Sequence, residues 1–162
     1  MGLVRGEKGV KKIILPHALR NDVEEMVAGK FPDAVHDDTA LQPLTRILDT
    51  YFRGEQISQD IPLDWSGSTN FSVTVWRTAQ SIPWGEVRTY KWLSFHLERP
   101  RSFRAVGTAL GKNPFPIVVP CHRVIRSDGG LGGFSAPTGT RLKRKMLEME
   151  GVGFDRNGRV IF

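Results

Sequence analysis

The sequence holds a single cysteine, Cys121, in 162 residues. An internal disulfide is therefore excluded, and so is any zinc site built on paired cysteines. One lone thiol fits a reducing compartment such as the cytosol. Long hydrophobic runs are missing too. No stretch reaches the roughly eighteen apolar residues of a spanning helix. The opening residues, MGLVRGEKGVKK, lack the apolar core of a secretory signal. No internal repeat and no low-complexity segment is visible.

Acidic residues are scarce in only one half. Residues 1–70 hold 8 Lys+Arg against 11 Asp+Glu, a balance of −3, whereas residues 71–162 hold 15 against 6, a balance of +9. A basic half joined to an acidic one implies either a face that meets a polyanion or a solvated basic surface. The rest of the composition, 40% hydrophobic and 25% charged, is that of an ordinary globular chain. It suffices for one full domain or two small lobes.

Periodicity places the elements. KKIIL at 11–15 reads as a short strand. Residues 18–28 read as a helix with Leu19, Val23, Met26 and Val27 on one side. A second helical stripe runs through Leu44, Ile47, Leu48, Tyr51 and Phe52, with Gly54 as its stop. The polar stretch 55–70 reads as a connector, which divides the chain into an N-terminal lobe, 1–68, and a C-terminal domain, 69–162. Phe71, Val75, Ala79 and Ile82 form one helical face that ends at Pro83. Thr89 is placed to cap a short helix carrying Tyr90, Leu93 and Leu97. A further helix runs from about Ser102 to Gly111, with Val106 and Leu110 inward. Two short helices with a three- or four-residue break, the second one basic, suggest a helix-turn-helix or simply two packed helices.

NPFPIVVPCHRVI, 113–125, then reads as a short buried strand punctuated by prolines at 114, 116 and 120. A glycine-rich loop, SDGGLGGFS, leaves room for a flat ligand. TRLKRKMLEMEG makes a helix with Leu142, Met146 and Met149 on one face and Gly151 as its stop, and GFDRNGRVIF reads as a hairpin around Asn157-Gly158.

Cys121 is either a small buried hydrophobe or a nucleophile. His122 supplies an imidazole beside it. On an extended chain adjacent side chains point to opposite faces, so the pair needs a water bridge or a bend after the strand to communicate. Glu150, at the end of the helix that folds back over this region, is the candidate to orient the imidazole.

PCHRVI, preceded by RAVGTALGKNPFPIVV and IPWGEVRTY, closely resembles the O6-alkylguanine-DNA alkyltransferases, also called methylated-DNA–protein-cysteine methyltransferases. The likeness is dense from about Tyr51 to Gly151 and loose over residues 1–40. It implies an α/β (α+β) protein: a small ribonuclease-H-like N-terminal lobe, then a mainly helical lobe with a helix-turn-helix and an active-site strand. It implies single-use DNA repair, in which the alkyl group of O6-alkylguanine, or of O4-alkylthymine, moves irreversibly to Cys121 without a cofactor or a metal.

By the same resemblance His122 takes the thiol proton through a water and Glu150 orients His122. Tyr90 helps turn the nucleotide out and protonates the leaving base, and Asn113 is a hinge to the active-site strand. Backbone groups of Cys121, Val124 and Ser135 would hold the extruded base. Arg104 would fill the vacated stack, with the small Ala105 and Gly107 permitting close approach in the minor groove. Arg101, Lys112 and Arg123 are candidates for phosphate contact or for local structure. The loop around Ser135-Ala136-Pro137 departs from the family's common pattern.

The expected partner is duplex DNA carrying the lesion. The protein is expected to be a monomer in solution, with cooperative binding along DNA left open. It is expected to be cytoplasmic, or nuclear in a eukaryote. Three rivals stand beside this reading. Alkyltransferase-like damage sensors lack the cysteine. A cysteine hydrolase would need the Cys-His pair in direct contact. A sequence-specific transcription factor would use the helix pair alone.

Overall fold

The computed structural model describes residues 1–16, 19–58 and 60–162. They form two compact units: Met1–Ser66 with Pro114–Pro116, and Gly67–Asn113 with Ile117–Phe162.

The first unit is built on an antiparallel pair, β1 (Gly2–Gly6) and β2 (Gly9–Ile14), with an irregularity in register at Val4/Arg5. Gly9 has a φ of 126°, and an added Cβ would collide with the Pro62 carbonyl, so this turn position requires glycine. The Val10 amide donates to Pro62 O, and the Asp64 amide donates back to Val10 O, which fastens residues 62–64 alongside β2. α1 (Arg20–Lys30) and α2 (Asp38–Phe52) follow. The sequence starts the first of these helices at Ala18, outside the described residues. α2 follows the expected stripe, burying Leu44, Leu48 and Tyr51, and Asp37 caps its first turn through Ala40 N. Gly54 stops it with a φ of 84°. Phe115 is buried edge-on against Trp65, and Pro114 O accepts from the Ile13 amide.

The second unit is mostly helical. α3 (Asn70–Gln80) buries Val75, Trp76 and Ala79, the spacing expected of it. β3 (Arg88–Thr89) leads directly into α4 (Tyr90–His96), whose N-cap is Thr89, accepting from Trp92 N at 2.9 Å. α5 (Phe103–Gly111) packs on both α3 and α4, and the Trp76 indole N–H donates to Ala109 O at 2.9 Å in the buried seam. The turn between α4 and α5 is longer than the three or four residues read from sequence. It takes up residues 97–102 and places Glu98 in the left-handed region at φ 55°.

Of the stretch read as a short buried strand punctuated by prolines, only the end is strand. Prolines 114, 116 and 120 lack amide donors, and Ile117 adopts a φ of 78°, so no ladder forms there. Cys121–Arg123 makes one turn of 3-10 helix instead, and only β4 (Val124–Ile125) is strand, paired parallel to β3.

α6 (Thr140–Met149) closes the unit. Its buried stripe is Lys143, Met146 and Leu147, with Glu150 at the C-cap, rather than the expected Leu142, Met146 and Met149. The tail turns as read, with Phe154 bridged to Val160 and Gly158 at φ 73°. Among the described residues no helix is long and apolar enough to cross a membrane.

Candidate active site

The site gathers around the 3-10 turn. The turn exists because Cys121 N donates to Val119 O at 2.8 Å and Arg123 N donates to Pro120 O at 2.9 Å, folding the chain just where the prolines have stopped a strand. The bend sets Cys121, His122 and Arg123 at different angles. Cys121 is half-buried, whereas His122 and Arg123 are withdrawn into the core. An extended chain would have sent neighbouring side chains to opposite faces; the turn replaces that alternation.

Asn113 follows α5 and reaches the thiol directly. Its Nδ2 donates to Val119 O at 2.9 Å and to Cys121 Sγ at 3.3 Å. The hinge asparagine expected from sequence is therefore also a ligand of the sulfur. Burial pushes the Cys121 thiol above its ordinary pKa, against the pull of the Asn113 hydrogen bond and the Lys143 charge.

Behind the thiol lies a buried network. His122 Nε2 is 2.7 Å from Glu150 Oε1. Burial opposes ionisation of Glu150, but hydrogen bonds from His122 and Arg123 outweigh it and bring the carboxyl down to about 2. An ionised carboxylate only accepts, so His122 carries its proton on Nε2 and its lone pair on Nδ1. Burial also pushes the imidazole below its ordinary range, with Glu150 pulling the other way, so the resting ring is neutral.

Arg123 belongs to this network and not to a DNA-facing surface. Its Nε and Nη2 donate to Glu150 at 2.7 and 3.1 Å, its Nη1 donates to Ile82 O at 2.7 Å, and it is only 4% exposed. The guanidinium also lies 5.8 Å from the Trp84 ring centroid. The phosphate-contact expectation is thus overturned for this residue. A basic side chain reads as surface in sequence, but here a buried carboxylate gives it a partner.

Lys143 was not singled out in sequence. It is fully buried, and its Nζ donates to Val124 O at 2.6 Å and to Leu131 O at 2.5 Å. Burial brings the ammonium down to about 8, opposed by a Cys121 thiolate. A signal was present: 143, 146, 147 and 150 lie on one helical stripe, with charge at both ends. Of the Val124 backbone groups expected to meet a base, the carbonyl accepts from this ammonium.

Tyr90 opens α4, half-buried, with the Lys143 ammonium 5.9 Å from its ring. Burial, with the neighbouring Cys121, raises its pKa, so the phenol keeps its proton. Two glycines give it room. A Cβ at Gly132 would come within 2.9 Å of the Tyr90 hydroxyl, and one at Gly107 would lie 3.7 Å from the ring. Arg101, Arg104, Ala105 and Lys112 are exposed along α5 and its flanks, as is Ser135, whose Oγ donates to Gly111 O at 2.9 Å. Among the described residues no cluster of His, Cys, Asp or Glu is gathered to hold a metal.

The arrangement gathers a thiol, a neutral imidazole held against an ionised carboxylate, and a protonated phenol. Comparison with known proteins agrees. Residues 70–152 match the DNA-binding domain of 6-O-methylguanine DNA methyltransferase. The methylated-DNA–protein-cysteine methyltransferase of Methanosarcina barkeri is 40% identical over 118 residues, 73% of each chain. That of Sulfurisphaera tokodaii is 45% identical over 105 residues, 65% of this chain and 64% of its own. Among solved structures, OGT of Mycobacterium tuberculosis in complex with DNA superposes with a TM-score of 0.72 at 34% identity, covering 91% of this chain and 84% of that one. The O6-methylguanine-DNA methyltransferase of Pyrococcus kodakaraensis gives 0.71 at 28% identity, covering 91% and 89%. A lone thiol backed by a buried His-Glu pair, on a chain this similar over this length, belongs to the methylated-DNA–protein-cysteine methyltransferase family.

Proposed function

We propose that this protein repairs duplex DNA by moving the alkyl group of O6-alkylguanine, and by the same chemistry that of O4-alkylthymine, onto Cys121. The observation that carries the reading is the way His122 meets the ionised Glu150 carboxylate, which sets its tautomer. Its Nε2–H is committed to Glu150 at 2.7 Å, which leaves Nδ1 as the proton acceptor one residue from the only thiol in the chain.

The steps balance. The thiol proton passes through a water to His122 Nδ1. Sγ attacks the alkyl carbon in line, the carbon–O6 bond breaks, and its electron pair leaves with the guanine. Tyr90 gives its proton to N3 of the departing base, which would otherwise leave as a poor anion. The proton on His122 then returns through solvent to the tyrosinate. The net products are a thioether and guanine. A thioether is not readily hydrolysed, so each molecule acts once.

The target atom is out of reach inside a stacked duplex, so the nucleotide turns out into the site. Arg104 enters the gap and offsets part of the unstacking cost, which is a few kcal/mol. α4 and α5 carry the DNA contacts within the C-terminal domain, residues 69–162, and residues 1–68 form the accessory lobe. The likeness to an OGT solved with DNA bound supports that assignment. Exposed Arg101, Arg104 and Lys112 supply charge for the phosphates. Binding one lesion needs one copy, and the protein works as a monomer.

The test is a mass measurement after incubation with duplex O6-methylguanine DNA. One added methyl group on Cys121 is expected, and none on Cys121→Ser, which should still bind the lesion. Unchanged mass despite tight binding would make the protein a sensor and defeat the proposal.

A further inference from the structure

We infer that Phe103 is a second DNA wedge beside Arg104, an aromatic ring that stacks on a base left exposed when the nucleotide turns out. The inference rests on the reading above that α5 enters the minor groove.

Phe103 is the first residue of α5. The helix buries Val106, Ala109 and Leu110 against its neighbours, yet the Phe103 ring remains 47% exposed. Exposed Phe95 has the Lys91 ammonium 5.8 Å from its ring, and half-buried Phe71 has the Arg99 guanidinium at 5.7 Å. Phe103 sits between exposed Arg101 and exposed Arg104. From Arg99 to Ser127 the chain carries no acidic residue. An apolar ring set in a wholly cationic stretch suits a partner that offers phosphates and flat apolar faces together. Nucleic acid does so.

Position along the helix points the same way. Residues four apart share a helix face, so Phe103 stands one turn, about 6 Å, from Gly107. The open side of Gly107 faces the Tyr90 ring. Tyr90 in turn is close enough to Cys121 to feel its charge. Phe103, Gly107, Tyr90 and Cys121 thus form one path from the helix start to the sulfur. A base turned toward Cys121 travels along that path, and the bases it leaves behind lie toward the end that Phe103 occupies. Apolar side chains inserted at such steps hold the duplex open. Arg104 fills the hole with a cation, and Phe103 caps the neighbouring base with a ring.

The experiment compares wild type, Phe103→Ala, Phe103→Tyr and Arg104→Ala on three substrates: duplex DNA with O6-methylguanine, the same strand alone, and O6-methylguanine as free base. Phe103→Ala should slow transfer from the duplex by on the order of tenfold or more, the usual effect of losing one base–aromatic stack. It should leave the free-base reaction unchanged. Phe103→Tyr, which keeps the ring, should restore the duplex rate. 2-Aminopurine beside the lesion should be brighter in the Phe103→Ala complex than in the wild-type complex, because the quenching ring is gone. Wild-type duplex rates in Phe103→Ala, or equal losses on all three substrates, overturn the inference. If Arg104→Ala alone shows a duplex-specific loss, only the role of Phe103 fails. If neither variant does, the extrusion reading itself fails.

Discussion

Replacing Glu150 with glutamine tests the network at its centre. The side chain is fully buried. One oxygen accepts from His122 Nε2 at 2.7 Å and Arg123 Nη2 at 3.1 Å, and the other accepts from Arg123 Nε at 2.7 Å. An amide of the same shape offers one acceptor oxygen and an NH2 group, so one set of donors must face another donor. The Arg123 guanidinium then stays buried without its counter-charge. Breaking one partner of a buried pair costs about 3–5 kcal/mol. For a chain of this size each kcal/mol lowers Tm by roughly 2–4 °C, so Glu150→Gln should melt about 6–20 °C lower. The chemical effect follows from the tautomer. With an amide NH2 against Nε2, the imidazole moves its proton to Nδ1, where the thiol proton has to go. Loss of general-base assistance costs on the order of 10²–10⁴ in rate. Single-turnover methyl transfer, thermal melting and the nitrogen resonances of His122 read the three consequences separately. A variant that melts and reacts like the wild type would refute the network. One that melts lower but reacts at full rate would refute the tautomer argument alone.

Two more outcomes are expected. Gly132→Ala should slow transfer, since its Cβ would meet the Tyr90 hydroxyl at 2.9 Å and its φ of 70° strains any side chain by about 1–2 kcal/mol, whereas Gly107→Ala, at an ordinary 3.7 Å, should fold normally and react with a free-base substrate at the wild-type rate. Stability should fall on acidification in two stages, read from Tm between pH 7 and pH 2. The unfolded chain protonates His122 near 6.5 while the buried ring stays neutral; the Glu150 contribution, on the order of 3 kcal/mol, is complete above about 4.5 and is lost as pH falls toward 2. A flat profile over that range would contradict both assignments.

Local rules read well where local forces decide. Phe71, Val75 and Ala79 recur every four residues, and Val75 and Ala79 are fully buried on α3. Thr89 caps α4 because a threonine oxygen before a helix meets the amides of its first turn. Glu150 could be placed near His122 because a helix ending at Gly151 had to return over the proline-rich segment. Three features escaped. The 3-10 turn at Cys121 follows a segment in which Ile117 has a φ of 78°, a conformation no propensity of isoleucine announces. Arg123 and Lys143 are buried because specific acceptors await them, Glu150 for one and the carbonyls of Val124 and Leu131 for the other. Sequence patterns rate such side chains by their charge, and charge says surface until the partner is known.

Those two buried cations explain how a thiol of raised pKa still serves as a nucleophile. Burial keeps Cys121 protonated at rest, and a protonated thiol is slow to oxidise or to capture stray electrophiles. That restraint protects the sulfur under the single-use reaction proposed above. Asn113 and Lys143 work in the opposite direction, since both favour the thiolate when it forms. Arg123 holds Glu150 ionised, Glu150 holds the His122 proton on Nε2, and Nδ1 is left to take the sulfur's proton. In the proposed reaction the thiolate is therefore made as its proton leaves for Nδ1, rather than being stored beforehand. The Arg123–Glu150 pair and the Lys143 ammonium are both in place before substrate arrives. In the proposed reaction the Arg123–Glu150 pair fixes which imidazole nitrogen takes the proton, and it also contributes to the stability of the fold.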